Sequence, residues 1–394
     1  MSLNGALHVG RSALVASQAA MQVAGNNMAN AATEGYHRRS ITLAPIRDEY
    51  ASRGQYVGQG VQLLSIRREI DTALQARYRD ALSEESALRM DQRFLTAIET
   101  LQNELTENDL SSLISQFFNA FSEVANNPTD NATRSVAIQQ GQSLANRAAD
   151  MHGDYAQIRE QVDARVKTVV QQVNKILDDL ETVNGQITQN EPVSGEAAAL
   201  RDQRDRLIDE LSQYMDVTVL HQENGGTDIL VDSVPVFLAG ESRGIELRTE
   251  SKEGSLELSI RVAEDGTTID VGGGELGGLL RQREDNIEPA IDALNTFANQ
   301  LIFQVNRLHS QGQGLHGFSS VAGAYSIADT TANLNSGAAN LPHEIENGSF
   351  IINVTHKDTG QRVSYQINVD GDAFSLDTAT NEIYTVVGVS NVTA

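Results

Sequence analysis

"MHGDYAQIREQVDARVKTVVQQVNKILDDLETVNGQITQ", residues 151–189, carries apolar side chains at steps of four and three. Met151, Tyr155, Ile158, Val162, Val166, Val169, Val173, Ile176, Leu180, Val183 and Ile187 hold that spacing almost unbroken for about five heptads. Arg159, Glu160, Arg165, Lys167, Asp178 and Glu181 fall mostly outside the stripe. A seam this long can be buried only against other long elements, so the centre of the fold is a helical bundle or coiled coil. The helix is expected to run from about Thr133 to Gln189. The chain then turns at Pro192–Gly195 and returns as a shorter antiparallel helix that ends near Met215.

Working outward, residues 70–105 place Leu74, Tyr78, Ala81, Leu88, Leu95, Ile98, Leu101 and Leu105 at helical intervals, which predicts an inward apolar face. In "NDLSSLISQFFNAFSEVANNP", Asn108 or Asp109 caps a further helix, Leu110, Leu113, Ile114, Phe117, Phe121 and Val124 form its apolar face, and Pro128 stops it. Residues 217–271 change period: short alternating runs split by Asn-Gly-Gly, Ala-Gly-Glu, Glu-Gly-Ser and Asp-Gly read as β-hairpins. A helix resumes at "GELGGLLRQRE", with Leu294, Phe297, Leu301, Val305 and Leu308 on one face. Beyond Gly312 the composition turns to Gly, Ser, Asn and Thr, and "GSFIINVTHKDTGQRVSYQINV" then gives two strands about a Thr-Gly turn. The fold class is therefore α+β multidomain: a long helical bundle or coiled-coil core with inserted β-hairpin segments and a β-rich outer domain. The expected division is 1–68, 69–318 with its β insert at about 217–271, and an incomplete β-rich domain at 319–394.

The first 68 residues stand apart. Leu3, Leu7, Gly10, Leu14, Ser17, Met21, Ala24 and Met28 also step by four and three, with large and small occupants alternating. A single helix with so narrow a stripe does not stabilise itself in water. It is expected to order against other helices in an assembly rather than by docking on its own domain. Asn26, Asn27 and Asn30 then break the alanine-rich run, since Asn competes for backbone hydrogen bonds in a helix interior. Gly35-Tyr36 is the turn out, and short extended segments follow through residue 68, among them Ile41, Leu43, Val57, Val61, Leu63 and Ile66. The three asparagines are expected to serve neighbouring backbone at a helix–loop junction.

Composition narrows the function. The 394 residues carry 29 Lys and Arg against 53 Asp and Glu, a net charge of −24, which disfavours nucleic acid and anionic membranes as partners. No segment approaches the roughly 18 consecutive apolar residues of a membrane span, and the N-terminal sequence is too polar for a secretory signal. Cysteine is absent, which removes thiol catalysis and thiolate metal sites. Tryptophan is absent too, and aromatics make up only 5%, a poor basis for an aromatic-lined catalytic cleft.

The motifs that could carry chemistry read better as structure. Gly272, Gly274 and Gly277 spell G-x-G-x-x-G, but the strand before them belongs to a hairpin series and no parallel strand follows the helix. A dinucleotide-binding enzyme using Gly272–Gly277 is thus a remote alternative, and a glycine-rich turn packed on a bundle is preferred. "RDQRDRLIDEL" groups Asp202, Asp205 and Asp209 with Arg201, Arg204 and Arg206. The arginines argue for local ion pairs on a wet helical face rather than a cation site. The eight histidines show no metal-ligand spacing. No catalytic residue, metal ligand or cofactor is expected.

"SLNGALHVGRSALVASQAAMQVAGNNMANAATEGYHRRSI" resembles the N-terminal segment of the bacterial flagellar axial proteins, the rod, hook and hook-associated family. The shared pattern is a Leu/Ala helix, G-N-N-[IM]-A-N, then T-x-G-[YF]. Three later features resemble the hook-associated members that join hook to filament: Tyr36-x-Arg38, "LRDQRDRLIDELSQYMDVTV", and "GGELGGLLRQRE" with "LNTFANQLIFQVNRLHSQGQGLHG". The likeness covers about residues 1–318. It implies a structural protein without catalysis, exported through the flagellar type III apparatus without a cleaved signal and placed outside the cell in the flagellum. It also implies assembly with copies of itself, with hook protein and with a neighbouring junction protein. The implied assembly interface is Leu3, Leu7, Leu14, Met21, Met28, Asn26, Asn27, Asn30, Gly35 and Tyr36. A rod or hook subunit is the alternative, although such proteins lack the long helical pair of 133–215. Members of the family end in an amphipathic helix that partners the N-terminal one. This sequence stops at Ala394 without it, so the expectation is a fragment or truncation in which Leu3 to about Asn30 lacks that partner.

Overall fold

The computed structural model describes residues 3–52, 55–102, 109–252, 255–312, 325–329, 332–343, 345–369 and 371. The chain divides into two compact units, Met1–Asn295 and Thr296–Ala394.

The first unit is built on α1 (Leu3–Ala29), α2 (Thr72–Gln102), α3 (Leu110–Asn126), α4 (Asn131–Ser194) and α5 (Ala198–Tyr214). All the seam residues of α4 from Met151 to Ile187 are buried except Ile158, which is half-buried. They are covered by α5 and by elements that follow it. At about 1.5–3 kcal/mol for each buried aliphatic side chain, this stripe is the main source of cohesion in the unit. The helix runs further than its periodicity suggests: Pro192 lies inside the last turn instead of ending it. Proline forfeits only its own N–H, and the Gly195 N–H still closes on Glu191 O at 3.2 Å. Gly195, at φ +78°, makes the stop. Asp109 caps α3 by accepting from Ser112 N, and Phe117 of α3 packs against Gly141 of α4.

Helix α2 corrects the expected face. Of the expected face Leu74, Tyr78, Leu88 and Leu95 are exposed and Ile98 is buried, whereas Arg79, Ser83, Ala87 and Phe94, outside it, are buried as well. The reason is the close approach of α6 (Gly274–Arg281). A Cβ on Gly278 would stand 2.8 Å from Ala87 O, so the inner face of α2 must be small where the helices meet. Periodicity finds a stripe; the shape of the partner chooses which stripe goes inside.

Residues 218–269 form two small antiparallel sheets. Strands β5 (Thr218–His221), β6 (Thr227–Val231), β7 (Val234–Leu238) and β8 (Glu241–Ser242) pair in chain order, and β9 (Ile245–Lys252), β10 (Ser255–Val262) and β11 (Thr268–Ile269) follow as a second meander. Asn174 of α4 pins β9 through both amide atoms, donating to Ile245 O and accepting from Ile245 N, each at 2.8 Å. The single helix expected from Gly274 is interrupted. A π-turn at Gln282–Ile287 separates α6 from α7 (Glu288–Ser310). The extra residue of that turn brings Gln282, Arg283 and Ile287 inward together, and Arg283 Nε donates to Asp163 Oδ1 at 2.8 Å. In the second unit β12 (Gly348–Thr355) and β13 (Arg362–Val369) form the expected hairpin. Leu105 and residues 372–394 lie outside the described residues.

The N-terminal strands are β1 (Arg39–Pro45), β2 (Glu49–Ser52), β3 (Gln55–Val57) and β4 (Val61–Arg68). β1 pairs antiparallel with β4 from Arg39↔Arg68 to Pro45↔Val61, with a bulge after Thr42, and β2 pairs with β3.

Candidate functional site

Helix α1 has two faces with different fates. Leu7, Leu14, Met21 and Met28 are 64, 70, 69 and 77% exposed, and Gly10, Ser17 and Ala24 between them are exposed as well. Leu3 lies in the first turn of the same helix. The opposite face, with Ser12, Ala16, Val23 and Asn27, packs on the β1–β4 hairpin, where Ala16 and Val23 are buried. Ser12 Oγ accepts from Val61 N at 3.2 Å. This corrects the expectation that α1 finds no support on its own domain. Apart from Val23 the docked residues named are small or polar, so hydrophobic patterning does not reveal that face.

Asn27 is the hinge pin of the helix–strand junction. Its Nδ2 donates to Arg39 O and its Oδ1 accepts from Arg39 N and from the Tyr36 hydroxyl, each at 2.9 Å. The side chain thereby acts as a strand partner for the first residue of β1. Asn30 Nδ2 donates to Asn26 O at 2.9 Å, and Asn30 Oδ1 accepts from Thr33 Oγ1 at 3.3 Å, closing the end of the helix. Asn26 contributes its carbonyl, and its side chain is exposed. Gly35 adopts φ +71° with the Arg206 stem against its Cα, so a side chain there meets both strain and a clash. Arg39 lies over the Tyr36 ring at 5.2 Å. The structure brings Asn27, Asn30, Gly35 and Tyr36 into one junction and leaves the Leu/Met seam on a separate, open face.

The junction is fastened to the bundle by ions. Arg68 of β4 reaches Asp202 at 2.9 Å and Asp205 at 2.7 Å through Nη1, and Glu196 at 3.3 Å through Nε. His37 and Arg39 meet Asp202 at 2.9 and 3.4 Å, while Arg79 of α2 meets Asp209 at 2.7 Å and Asp205 at 3.4 Å. Asp202 and Asp205 are buried, which overturns the wet face and local pairs expected for "RDQRDRLIDEL". Their partners lie more than 120 residues away in sequence, so no local spacing announces them. Burial pushes the Asp205 carboxyl up, but Arg68 and Arg79 outweigh it and hold it below the ordinary carboxylate value. Asp209 goes the other way: burial raises it despite Arg79. Arg204, also buried, bonds Gly225 O at 2.7 Å and Asn184 Oδ1 at 3.2 Å, and burial lowers its guanidinium to about 10. Asp202, Asp205 and Asp209 each pair with at least one guanidinium group, and Asp202 also meets His37.

The glycine run at Gly272–Gly277 does not form a phosphate cradle. Gly274 abuts the backbone of Tyr214 and Met215, and Gly277 abuts Val271 O. Asp216 Oδ1 already accepts from Gly273 N at 3.1 Å at the start of α6. A carboxylate occupies the place where a pyrophosphate would have to sit. Among the described residues, no helix is long and apolar enough to cross a membrane.

The chain is similar to known flagellar proteins. The model of the flagellar hook-associated protein FlgK helical domain matches residues 95–323, and that of the flagella basal body rod protein matches residues 7–37. The flagellar hook-associated protein 1 of Bacillus subtilis is 35% identical over 229 residues, covering 56% of this chain and 45% of its own length. Its namesake in Salmonella typhimurium is 25% identical over 383 residues, covering 95% of this chain and 68% of its own length. The chain thus spans about half to two thirds of the relatives it matches. The structure of the flagellar hook junction protein FlgK from Burkholderia pseudomallei shares the fold, with a TM-score of 0.50 at 23% identity over 71% of this chain and 48% of that one. With more than half of its residues under one family model, the chain belongs to the flagellar hook-associated protein family.

Proposed function

We propose that this chain is a structural, non-catalytic subunit of the bacterial flagellum that joins hook to filament. In this reading residues 1–68 are the assembly module, 69–318 the bundle and 319–394 part of an outer β-rich domain. The interface consists of Leu3, Leu7, Leu14, Met21 and Met28 on the seam, with Asn26, Asn27, Asn30, Gly35 and Tyr36 setting the direction in which α1 leaves the bundle. One observation carries it: the four–three seam of α1 is open from Leu7 to Met28 while the other face is anchored. Burying four such Leu and Met side chains would contribute about 1.5–3 kcal/mol each. An exposed seam of that size marks a helix kept for a partner. Subunits would stack with copies of themselves through contacts that do not close, between hook protein and a neighbouring junction protein. They would reach that position outside the cell through the flagellar export apparatus.

Deletion of the coding region tests the reading. The expected outcome is loss of motility with intact hooks and with filament monomer released into the medium. Hooks that fail to form would instead place the chain in the rod or the hook, where the match of residues 7–37 also leads.

A further inference from the structure

The N-terminal module, α1 with β1–β4, is held together by one kind of contact and held to the bundle by another. Inside it, Ala16 and Val23 are buried against the β1–β4 hairpin, Ser12 Oγ accepts from Val61 N, and Asn27 closes the helix onto Arg39. Across the boundary to the bundle the chemistry changes. Among the described residues of the module only Ala16 and Val23 are buried, so the bundle fully covers no apolar side chain of the module. Charge crosses the boundary instead. The Arg68 side chain, 5% exposed, runs between Asp202, Asp205 and Glu196, and the Arg68 N–H also donates to Glu196 Oε1 at 3.2 Å. Asp205 is shared with Arg79 of α2, but the ion-pair partners of Asp202 are His37, Arg39 and Arg68, all of the module. The closed position also leaves Arg39 Nε buried and unpaired among the described residues, a cost that opening would relieve.

From this geometry we infer that the N-terminal module turns as one body about Glu69–Asp71, with Asp202 as the clasp that holds it closed on α5. The pivot is short and its ends belong to different bodies. Glu69 N donates to Arg38 O at 2.8 Å and stays with the module, whereas Asp71 Oδ1 accepts from Ala73 N and Leu74 N at 3.0 Å and caps α2. Glu69 and Asp71 are exposed, so neither is held by packing. A boundary bonded by polar groups permits relative motion of the bodies it joins, and a few residues at the end of an element suffice for a hinge. Buried charges make the closed position well defined: an apolar contact slides, but a buried ion pair loses most of its worth once one partner withdraws. In the proposed assembly the clasp sets the angle at which the open seam of α1 meets its partners, and release gives a second angle without unfolding either body. Only that role rests on the proposed function; the clasp itself follows from the packing.

The chain lacks cysteine, which allows a direct test. Nitroxide labels at Gln18→Cys on α1 and Gln186→Cys on α4, both exposed, report the distance from module to bundle by pulsed electron spin resonance. Asp202→Asn is expected to broaden that distance distribution at least about twofold, while amide protection along the β1–β4 ladder is retained. His37→Gln with Arg39→Gln is the gentler variant, since both side chains are partly exposed, and should broaden it in the same sense. Arg165→Gln, which removes an ion pair with Glu275 inside the bundle, should leave the width of the parent. Parent width in both the Asp202 variant and the gentler pair would overturn the inference. So would equal broadening with Arg165→Gln, or broadening accompanied by loss of ladder protection, which would mean that the module melts instead of turning. The deletion phenotype is read separately: motility that depends on the chain, together with parent widths throughout, would sink the clasp and leave the junction reading standing.

Discussion

Asn27 joins three groups with one amide, and no other residue type supplies a donor and a double acceptor at that reach. Asn27→Ala is expected to leave Arg39 N and O and the Tyr36 hydroxyl seeking water, at about 1–3 kcal/mol locally. Amide exchange should accelerate across residues 31–39 and motility should fall. Melting of the bundle should not move, and a lower bundle Tm would show that the residue supports more than the junction. Asp205 and Asp209 make a sharper pair. The folded pKa of Asp205 lies below its unfolded value, so its stabilisation is complete above about pH 4 and is lost as pH falls through the folded value. Asp205→Asn should cost about 3–5 kcal/mol at pH 7, because Arg68 and Arg79 lose a buried counter-charge, and should flatten the acid limb of the stability curve. Asp209 has a raised folded pKa, so the fold favours its neutral form and its ionisation works against stability as pH rises. Asp209→Asn at pH 7 should therefore fall within about 1 kcal/mol of the parent. Chemical denaturation at pH 3 and 7 checks both, and equal losses for the two variants would contradict the assignment.

At the scale of elements, α1 and α2 show how one pattern can serve opposite ends. Both helices carry an exposed apolar stripe, Leu7, Leu14, Met21 and Met28 on one and Leu74, Tyr78, Leu88 and Leu95 on the other. The faces they bury mix small or polar residues with a few apolar ones, Val23 on α1 and Phe94 and Ile98 on α2. Leu14→Glu with Met21→Glu is expected to change monomer stability by no more than about 0.5 kcal/mol per site, since both positions are open, and to abolish assembly and swimming. A folded, export-competent variant that still swims would remove the seam from the interface. Gly278→Ala acts at the inner crossing. Its Cβ would press on Ala87 O, and overpacking of this kind costs about 1–3 kcal/mol. Loss of α2 protection before that of α4, followed by hydrogen exchange, is the expected signature.

Across the whole molecule, the long α4 seam, the antiparallel return of α5, the hairpins of 218–269 and the β12–β13 pair are legible in the sequence. Each is set by near-neighbour chemistry: heptad spacing, a Gly stop, turn residues at fixed offsets. The seam of α1 and the Asn27 junction are legible for the same reason, as a stripe with no local partner and as amides where a helix should not have them. The interior position of Asp202 and Asp205 is not legible, because Arg68, Arg79 and His37 arrive from distant segments and only the packed chain sets their distances. Nor is the inner face of α2, which Gly278 decides by bringing a backbone close. The π-turn at Gln282–Ile287 is equally silent, since one extra residue in a helix leaves no mark on composition. By itself the sequence determined most of the elements that form and marked the α1 stripe as one that its own helix does not cover. The tertiary structure alone decided which stripes are covered and which charges are buried, because burial depends on the shape and charge of segments that the chain brings together only on folding.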